Sequence, residues 1–386
     1  MGKIDELIKQ FCPNGVEVVE LGKIAKLVRG KVISKKYVLD NNGEYPVYSS
    51  QTSNNGEFGR INTYMFDGDY VTWTTDGAYA GTVFRRTGKF NITNICGLIK
   101  LEVSSINVGF LYYWLAITAK KYVNRATDNP KLMSNVVATI KVPLPPLAVQ
   151  KEIVEILDVF TGMIDNLQKE LEQRQKQFDY YRDNLFMFKS NIKYEELGKL
   201  CLIKGRIGFR GYTKNDFVEF KKGAISLSPG DIKDNQLHFD NCSYISWDKY
   251  EQSPEIVVEC GDILLCKTGS TVGKTAIVQE LPWKATINPQ FVILKNVELN
   301  NKYLFYVLCL PCTQIEIKRL AGVGSVPNVS QAKLAKVKIP IPSLDKQQEI
   351  VDKLDTFETL ISNIKQEIEL RQKQYEYYRE KLLTFE

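Results

Sequence analysis

The chain repeats itself. Residues 143–188 read PLPPLAVQKEIVEILDVFTGMIDNLQKELEQRQKQFDYYRDNLFMF, and residues 340–385 read PIPSLDKQQEIVDKLDTFETLISNIKQEIELRQKQYEYYREKLLTF. The two align without a gap at a constant offset of 197. Their core, Arg-Gln-Lys-Gln-aromatic-x-Tyr-Tyr-Arg, runs from Arg174 to Arg182 and again from Arg371 to Arg379. Such self-similarity restricts the fold to one built of two equivalent halves. The segments before each copy correspond more weakly. Glu20-Leu21-Gly22-Lys23 echoes Glu196-Leu197-Gly198-Lys199, Gly68-Asp69-Tyr70 echoes Gly261-Asp262-Ile263, and Phe110-Leu111-Tyr112-Tyr113 echoes Tyr303-Leu304-Phe305-Tyr306. The expected order is a globular unit (1–146), a helix (147–190), a second globular unit (191–342) and a second helix (343–386).

Apolar residues in the first copy fall at Ile153, Leu157, Phe160, Ile164, Leu167, Leu171, Phe178, Tyr181, Leu185 and Phe188. In the second they fall at Ile350, Leu354, Phe357, Ile361, Ile364, Ile368, Tyr375, Tyr378, Leu382 and Phe385. The spacing of three and four is a heptad seam. Each seam skips one position, Arg174 or Arg371, where a polar residue costs stability and fixes register. Proline clusters precede each helix and end the strand or loop before it. Matched seams favour the two helices pairing with each other over each lying alone on its own unit. An antiparallel pair would hold the globular units apart.

Charge follows the same division. The whole chain carries +6 over 386 residues. Counted by segment, residues 1–146 carry +6, 147–190 carry −2, 191–342 carry +5 and 343–386 carry −3. Basic globular units on acidic helices are the distribution expected of a polyanion-binding module on a spacer, although a solvated surface also tolerates such a charge. The one histidine, His238, excludes histidine-rich metal centres. Cys12, Cys96, Cys201, Cys242, Cys260 and Cys266 are scattered, and Cys309 and Cys312 lie in an apolar run without a second pair. They read as inert thiols in a reducing compartment, and no metal site is expected. No apolar run approaches the roughly 20 residues that span a bilayer, so a soluble cytoplasmic protein is expected.

The globular units mix β-branched and aromatic runs, such as residues 70–75, 256–258 and 291–294, with Asn-Gly and Asp-Gly turns. Each closes with an apolar, helix-like stretch near Phe110 or Tyr303. The expected fold class is α+β, on twisted and mostly antiparallel sheets. Two motifs fall short. Thr268-Gly269-Ser270-Thr271-Val272-Gly273-Lys274-Thr275 has threonine where a nucleotide-binding loop needs its first glycine. Its glycines suggest backbone amides offered to a DNA phosphate. Asn288-Pro289-Gln290-Phe291 lacks the second proline of an amino-methyltransferase motif, and no S-adenosylmethionine loop precedes it.

Two divergent basic units, two near-identical heptad helices, the repeated Glu-Leu-Gly-Lys and the Pro-x-Pro-x-Leu-x-x-Gln before each helix (Pro143–Gln150, Pro340–Gln347) together resemble the DNA-specificity subunit of type I restriction–modification enzymes. The resemblance covers nearly the whole chain. It implies two target recognition domains in tandem, separated by two long helices that form an antiparallel coiled coil, with internal pseudo-two-fold symmetry. Each domain then reads one half of a bipartite, asymmetric site on double-stranded DNA, and the coiled coil sets the spacer. Two methyltransferase subunits and the restriction subunits are the implied partners. Those partners would carry S-adenosylmethionine, ATP and Mg, while this chain binds no cofactor and is not itself an enzyme.

By residue type and position, the expected DNA contacts are Arg29, Lys31, Ser50, Asn54, Thr75 and Tyr79 in the first domain. In the second they are Arg206, Arg210, Lys214, Ser270, Lys274 and Gln290. A free-standing DNA-binding regulator and an anti-restriction decoy remain open readings at this point. An ATPase using Lys274 is more distant.

Overall fold

The computed structural model describes residues 6, 10, 15–126, 128–188, 192–206, 212–322, 324 and 326–385. The chain forms two compact units, Met1–Lys169 with Lys365–Glu386, and Glu170–Ile364. Each unit holds one globular domain and a part of both repeat helices.

The first domain contains β1 (Val18–Glu20), β2 (Ala25–Arg29), β3 (Tyr45–Tyr48), β4 (Glu57–Ile61), β5 (Phe66–Asp67), β6 (Tyr70–Thr74), β7 (Val83–Arg86), β8 (Lys89–Ile92), β9 (Cys96–Leu101) and β10 (Lys141–Pro143). An antiparallel sheet in the order β2-β9-β6-β7 lies between two other layers. Alternation along its strands sends Val71, Trp73 and Ile99 towards the helix Val108–Thr118. Cys96 and Leu98 point the other way, onto Phe90 and Ile92 of a second sheet ordered β4-β3-β8-β5. Within that second sheet β3 and β8 run parallel.

The second domain repeats this plan. Its strands are β11 (Lys193–Glu196), β12 (Leu202–Lys204), β13 (Phe217–Val218), β14 (Ala224–Leu227), β15 (Ile232–Lys233), β16 (Gln236–Leu237), β17 (Ser243–Ile245), β18 (Ile263–Cys266), β19 (Thr275–Ile277), β20 (Ala285–Ile287), β21 (Phe291–Lys295) and β22 (Lys338–Ile341). The sheet β12-β21-β18-β19 packs one face on the helix Asn301–Cys309 and the other on β13-β17-β14-β20. Again one pair, β14 and β20, is parallel. The sequence had suggested a strand over residues 256–258. Instead Pro254–Ile256 is a 3-10 turn, because Pro254 lacks the amide a strand would use, and Val257 makes only an isolated bridge to Thr286.

The repeated motifs have structural reasons. Leu21 and Leu197 are fully buried. Their amides donate to the Ile140 and Val337 carbonyls at 2.9 Å, joining the start of each domain to its end. The pairs β1–β10 and β11–β22 extend that closure. The repeat helices run Leu147–Leu185 and Leu344–Leu382, 39 residues each. Gln150 and Gln347, both buried, fix their first turns. Gln150 accepts from the Asn107 amide at 2.7 Å and donates to the Ser105 and Pro145 carbonyls. Gln347 accepts from the Asn300 amide at 2.9 Å and donates to the Pro342 carbonyl. Each glutamine so ties the first turn of its repeat helix to the loop that precedes the apolar helix of its own domain.

In the first unit, Phe160 of the first repeat helix stacks on Tyr378 of the second, with ring centroids 5.2 Å apart. In the second unit, Tyr181 stacks on Phe357 at 5.2 Å. The first half of one helix thus meets the second half of the other in both units, which is the pairing of antiparallel helices. Ile153, Leu157, Ile164 and Tyr375 are buried in the first unit, and Ile350, Leu354 and Ile361 in the second. Leu167, Leu171, Phe178, Ile364 and Ile368 are half-buried. The ends of the two repeats also reach the domains: Phe385 packs edge-on to Phe110 in the first unit, and Phe186, just past the end of its helix, lies on Tyr303 in the second. Arg174 and Arg371 satisfy their guanidinium groups along their own helices. Arg174 bonds Glu170 and Gln177, and Arg371 bonds Glu367 and Gln374, at repeat-equivalent positions.

Candidate nucleic-acid interface

The β6–β7 and β18–β19 hairpins carry the glycine-rich loops, and the two loops have one backbone design. Gly77 and Gly81 have φ of 91° and 81°, and Gly269 and Gly273 have 93° and 92°. Only glycine takes that conformation without strain. The Gly81 amide donates to Thr74 and the Gly273 amide to Cys266, both at 2.9 Å. A second segment clamps each loop. The Gly77 amide donates to the Pro130 carbonyl at 3.0 Å, and Gly269 to Pro327 at 2.9 Å. The Leu132 and Val329 amides return bonds to Thr75 and Lys267. These clamps, residues 130–132 and 327–329, stand at the repeat offset and were missed in the sequence. That offset was the signal available.

The amides of Gly77, Ala80, Gly81 and Thr82, and of Gly269, Val272, Gly273 and Lys274, are all engaged inside the protein. The expectation that these glycines offer bare amides to a phosphate is therefore corrected for those positions. What the loops present is their side chains.

In the first domain, four of the six chosen residues converge on the turn Thr93–Ile95 between β8 and β9. The Arg29 Nε donates to the Asn94 carbonyl at 3.0 Å, and the Asn94 amide donates to Lys31 at 2.9 Å. The hydroxyls of Ser50 and Thr75 both donate to the Ile95 carbonyl, and both reach Asp76 Oδ1 at 3.1 Å. Thr75 is fully buried, so it braces this turn and is not a DNA contact. Asp76 and Asn129, which caps the Gly77 amide at 2.9 Å, are members that the sequence reading missed. Tyr79 stands 61% exposed on the hairpin loop. Asn54 is exposed with φ of 48° on the neighbouring β3–β4 loop.

The second domain brings together fewer of its chosen residues. Ser270 and Gln290 are exposed at adjoining turns, where the Lys267 amide donates to the Gln290 carbonyl at 2.8 Å. The Gln290 side chain accepts from Asn288 at 3.1 Å. Lys274 is half-buried, its ammonium donating to the Pro229 carbonyl at 2.9 Å. Lys214 is exposed on a separate short turn. Arg206 is corrected: it is 3% exposed, stacked 4.4 Å over the Tyr212 ring and bonded to Ser253 and Thr286. Its burial and these bonds make it a structural arginine. Arg210 lies outside the described residues, as does Cys12.

The cysteines divide: Cys96, Cys201 and Cys266 are buried, whereas Cys260 and Cys312 are exposed, which corrects the reading of Cys312 as part of a buried run. Burial pushes the Cys96 and Cys201 thiols up to about 12. Burial also raises the Cys309 thiol. Among the described residues no group of three or more Cys, His, Asp or Glu side chains is placed to hold a metal ion. No described helix is long and apolar enough to cross a membrane.

Relationships to known proteins now bear on this geometry. Residues 13–175 and 212–370 each match the type I restriction modification DNA specificity domain. The chain belongs to this family. A Mycoplasma pneumoniae protein that carries the name of a type I specificity subunit is 34% identical over 375 residues, covering 96% of this chain and 98% of that one. The specificity subunit of the M. pneumoniae type I restriction enzyme MpnII is 42% identical over 185 residues, 47% of this chain and 56% of its own length. The fold matches the crystal structure of a type I restriction–modification S subunit from M. genitalium with a TM-score of 0.67, at 17% identity and 96% coverage of this chain. As a specificity subunit the chain is a DNA-recognition component of a complex and is non-catalytic. The regulator and decoy readings are not favoured.

Proposed function

We propose that each globular domain reads one half of a bipartite, asymmetric site on double-stranded DNA. The observation that carries this is the duplicated clamped loop: one backbone design, presenting Asp76-Gly77-Ala78-Tyr79 in one domain and Thr268-Gly269-Ser270-Thr271 in the other. A shared scaffold with unlike side chains suits two readers of unlike sequences. Arg29, Lys31, Ser50, Asn54 and Tyr79 serve the first reader, and Lys214, Ser270, Lys274 and Gln290 the second. The coiled coil sets the spacer between the half-sites.

Two methyltransferase subunits dock on the repeat, with restriction subunits completing a cytoplasmic complex. Support comes from apolar residues exposed at equivalent repeat positions: Leu147 and Leu344, Met163 and Leu360, Tyr180 and Tyr377. Equal docking sites follow from equal helices. This chain binds no cofactor, and S-adenosylmethionine, ATP and Mg belong to those partners.

The test is to sequence methylated bases in cells carrying the intact system, before and after exchanging residues 1–146 for those of another specificity subunit. One half of the motif should change and the other should stay. A motif that changes throughout, or not at all, refutes the assignment. Inserting one heptad in each helix should lengthen the spacer by roughly 10 Å, about 3 base pairs. An unchanged spacer would remove the coiled coil from that role.

A further inference from the structure

Arg86, at the end of β7, is 2% exposed. Its Nε donates to Thr72 Oγ1 at 3.2 Å. The guanidinium carbon lies 3.6 Å from the centre of the Tyr48 ring and 4.3 Å from that of Phe84. Among the described residues Nη1 and Nη2 make no hydrogen bond of good geometry and pair with no carboxylate; the Tyr48 hydroxyl is the nearest compensating group. A desolvated cation–π contact contributes about 2 kcal/mol, against several kcal/mol for an ion left buried without a partner. The structure of the free domain leaves this cation under-compensated.

What covers Arg86 is the β3–β4 loop. A side chain at Gly56 would come within 2.9 Å of Nη2 and 3.1 Å of the Gln51 carbonyl, so the loop backbone rests directly on the guanidinium. This loop, Ser49–Gly56, reads Ser-Ser-Gln-Thr-Ser-Asn-Asn-Gly and has no apolar side chain to anchor it. It is held by the Ser49 amide on the Gly56 carbonyl at 3.1 Å, by Ser50 on Asp76 and the Ile95 carbonyl, and by Gln51 on the Glu57 carbonyl. Water can replace each of these bonds at a net cost of about 1 kcal/mol. The same loop carries Ser50 and Asn54, two of the first reader's side chains.

We propose that Arg86 is a concealed DNA-binding residue: when the loop Ser49–Gly56 lifts, its Nη1 and Nη2 engage a paired acceptor of the bound duplex. Two oxygens of one phosphate, or O6 and N7 of one guanine, present that geometry. The second domain has no counterpart, because the strand register places Val278 at this position. The proposal rests on the reading of the first domain as a DNA reader and adds one residue and one loop movement to it.

The experiment uses the complex assembled with its methyltransferase subunits and a duplex carrying the motif found by methylation sequencing. Arg86→Met should weaken binding at least tenfold. A salt slope reduced by about one identifies a phosphate, whereas an unchanged slope with relaxed preference at one base of the first half-site identifies a guanine. Wild-type affinity, slope and motif in Arg86→Met would overturn the proposal. If that variant does not assemble, the unmodified complex answers. An arginine-selective dicarbonyl should label Arg86 slowly without DNA and at least tenfold more slowly with the specific duplex, read by peptide mass. Labelling indifferent to the duplex overturns the proposal equally. A wild-type complex that binds no duplex defeats the DNA-reader assignment itself, which separates the two failures.

Discussion

The two domains share a backbone plan and differ most where their two sheets face each other. In the second domain that layer is apolar: Leu264, Cys266, Ala276, Val278, Phe291 and Ile293 are buried there. In the first, the register puts Thr72, Thr74 and Arg86 at the positions of Leu264, Cys266 and Val278. Asn91 and Thr93 are buried beside them, and the apolar cluster shrinks to Phe90, Ile92, Cys96 and Leu98. The helix-facing layer behaves differently, because its volume is kept while its residues change. Trp73 opposite Gly97 in the first domain corresponds to Leu265 opposite Val292 in the second. The layer against the helix is therefore constrained by packing. The layer behind the candidate interface tolerates polar groups, and there the readers diverge.

The volume exchange offers the largest test. A side chain at Gly97 would begin 2.3 Å from the Trp73 ring. Gly97→Val should lower stability by about 3 kcal/mol through overpacking. Adding Trp73→Leu should recover most of that, less the lost bond from the Trp73 indole to the Leu132 carbonyl at 3.0 Å. Denaturant midpoints of the two single variants and the double variant check it. Additive losses would break the claimed equivalence between Trp73–Gly97 and Leu265–Val292.

The two glutamines come next, since they compare the same residue in two settings. Gln150 makes three bonds, to the Asn107 amide and the Ser105 and Pro145 carbonyls, whereas Gln347 bonds the Asn300 amide and Pro342 carbonyl. Replacement by leucine leaves a buried amide without its acceptor, a cost of about 2 kcal/mol. Gln150→Leu should cost more than Gln347→Leu, measured as loss of hydrogen-exchange protection in the first turn of each repeat helix. Equal losses would mean that the acceptor of the loop amide carries the whole effect.

Much of this architecture was legible because the repeat made it so. Gaps of three and four residues placed the helices, and the paired apolar stretches placed the helices Val108–Thr118 and Asn301–Cys309. The parallel pairs β3–β8 and β14–β20 were not legible, because short strands far apart in sequence carry no mark of their partner's direction. The interface was legible only in outline. Arg206 and Thr75 have the composition of DNA contacts, yet both are buried. A polar side chain can face solvent or lie between sheets, and residue type does not separate the two. Asp76 was missed for the converse reason: an acidic residue looks wrong beside DNA until its bonds to Ser50 and Thr75 show it orienting neighbours.

The smallest effect lies at the junctions of the two domains with the repeat helices, where they are expected to agree. Tyr113 donates to Asp158 at 2.6 Å, and Tyr306 donates to Asp355 at 2.8 Å, at equivalent places. One turn further along, the first helix has Thr161, which lies 3.4 Å from the Tyr113 hydroxyl, and the second has Glu358. Burial is the main cause that holds both phenols above the ordinary 10.0, and the aspartates add to it; Glu358 raises Tyr306 further, whereas Thr161 lowers Tyr113. A phenol raised on folding keeps its proton in the native state after the unfolded chain has lost it. Its contribution is thus whole below pH 10.0 and declines as pH rises beyond that. Stability should fall above pH 10.0, and Tyr306→Phe and Tyr113→Phe should flatten that fall alike, because both folded phenols keep their protons across this range. Urea unfolding at pH 8 to 11 measures both slopes, each differing from that of the unsubstituted chain by about 1 kcal/mol across the range. Unequal flattening would show that one of the two phenols already loses its proton in the folded chain within this range, and that its burial and neighbours hold it less firmly than those of the other.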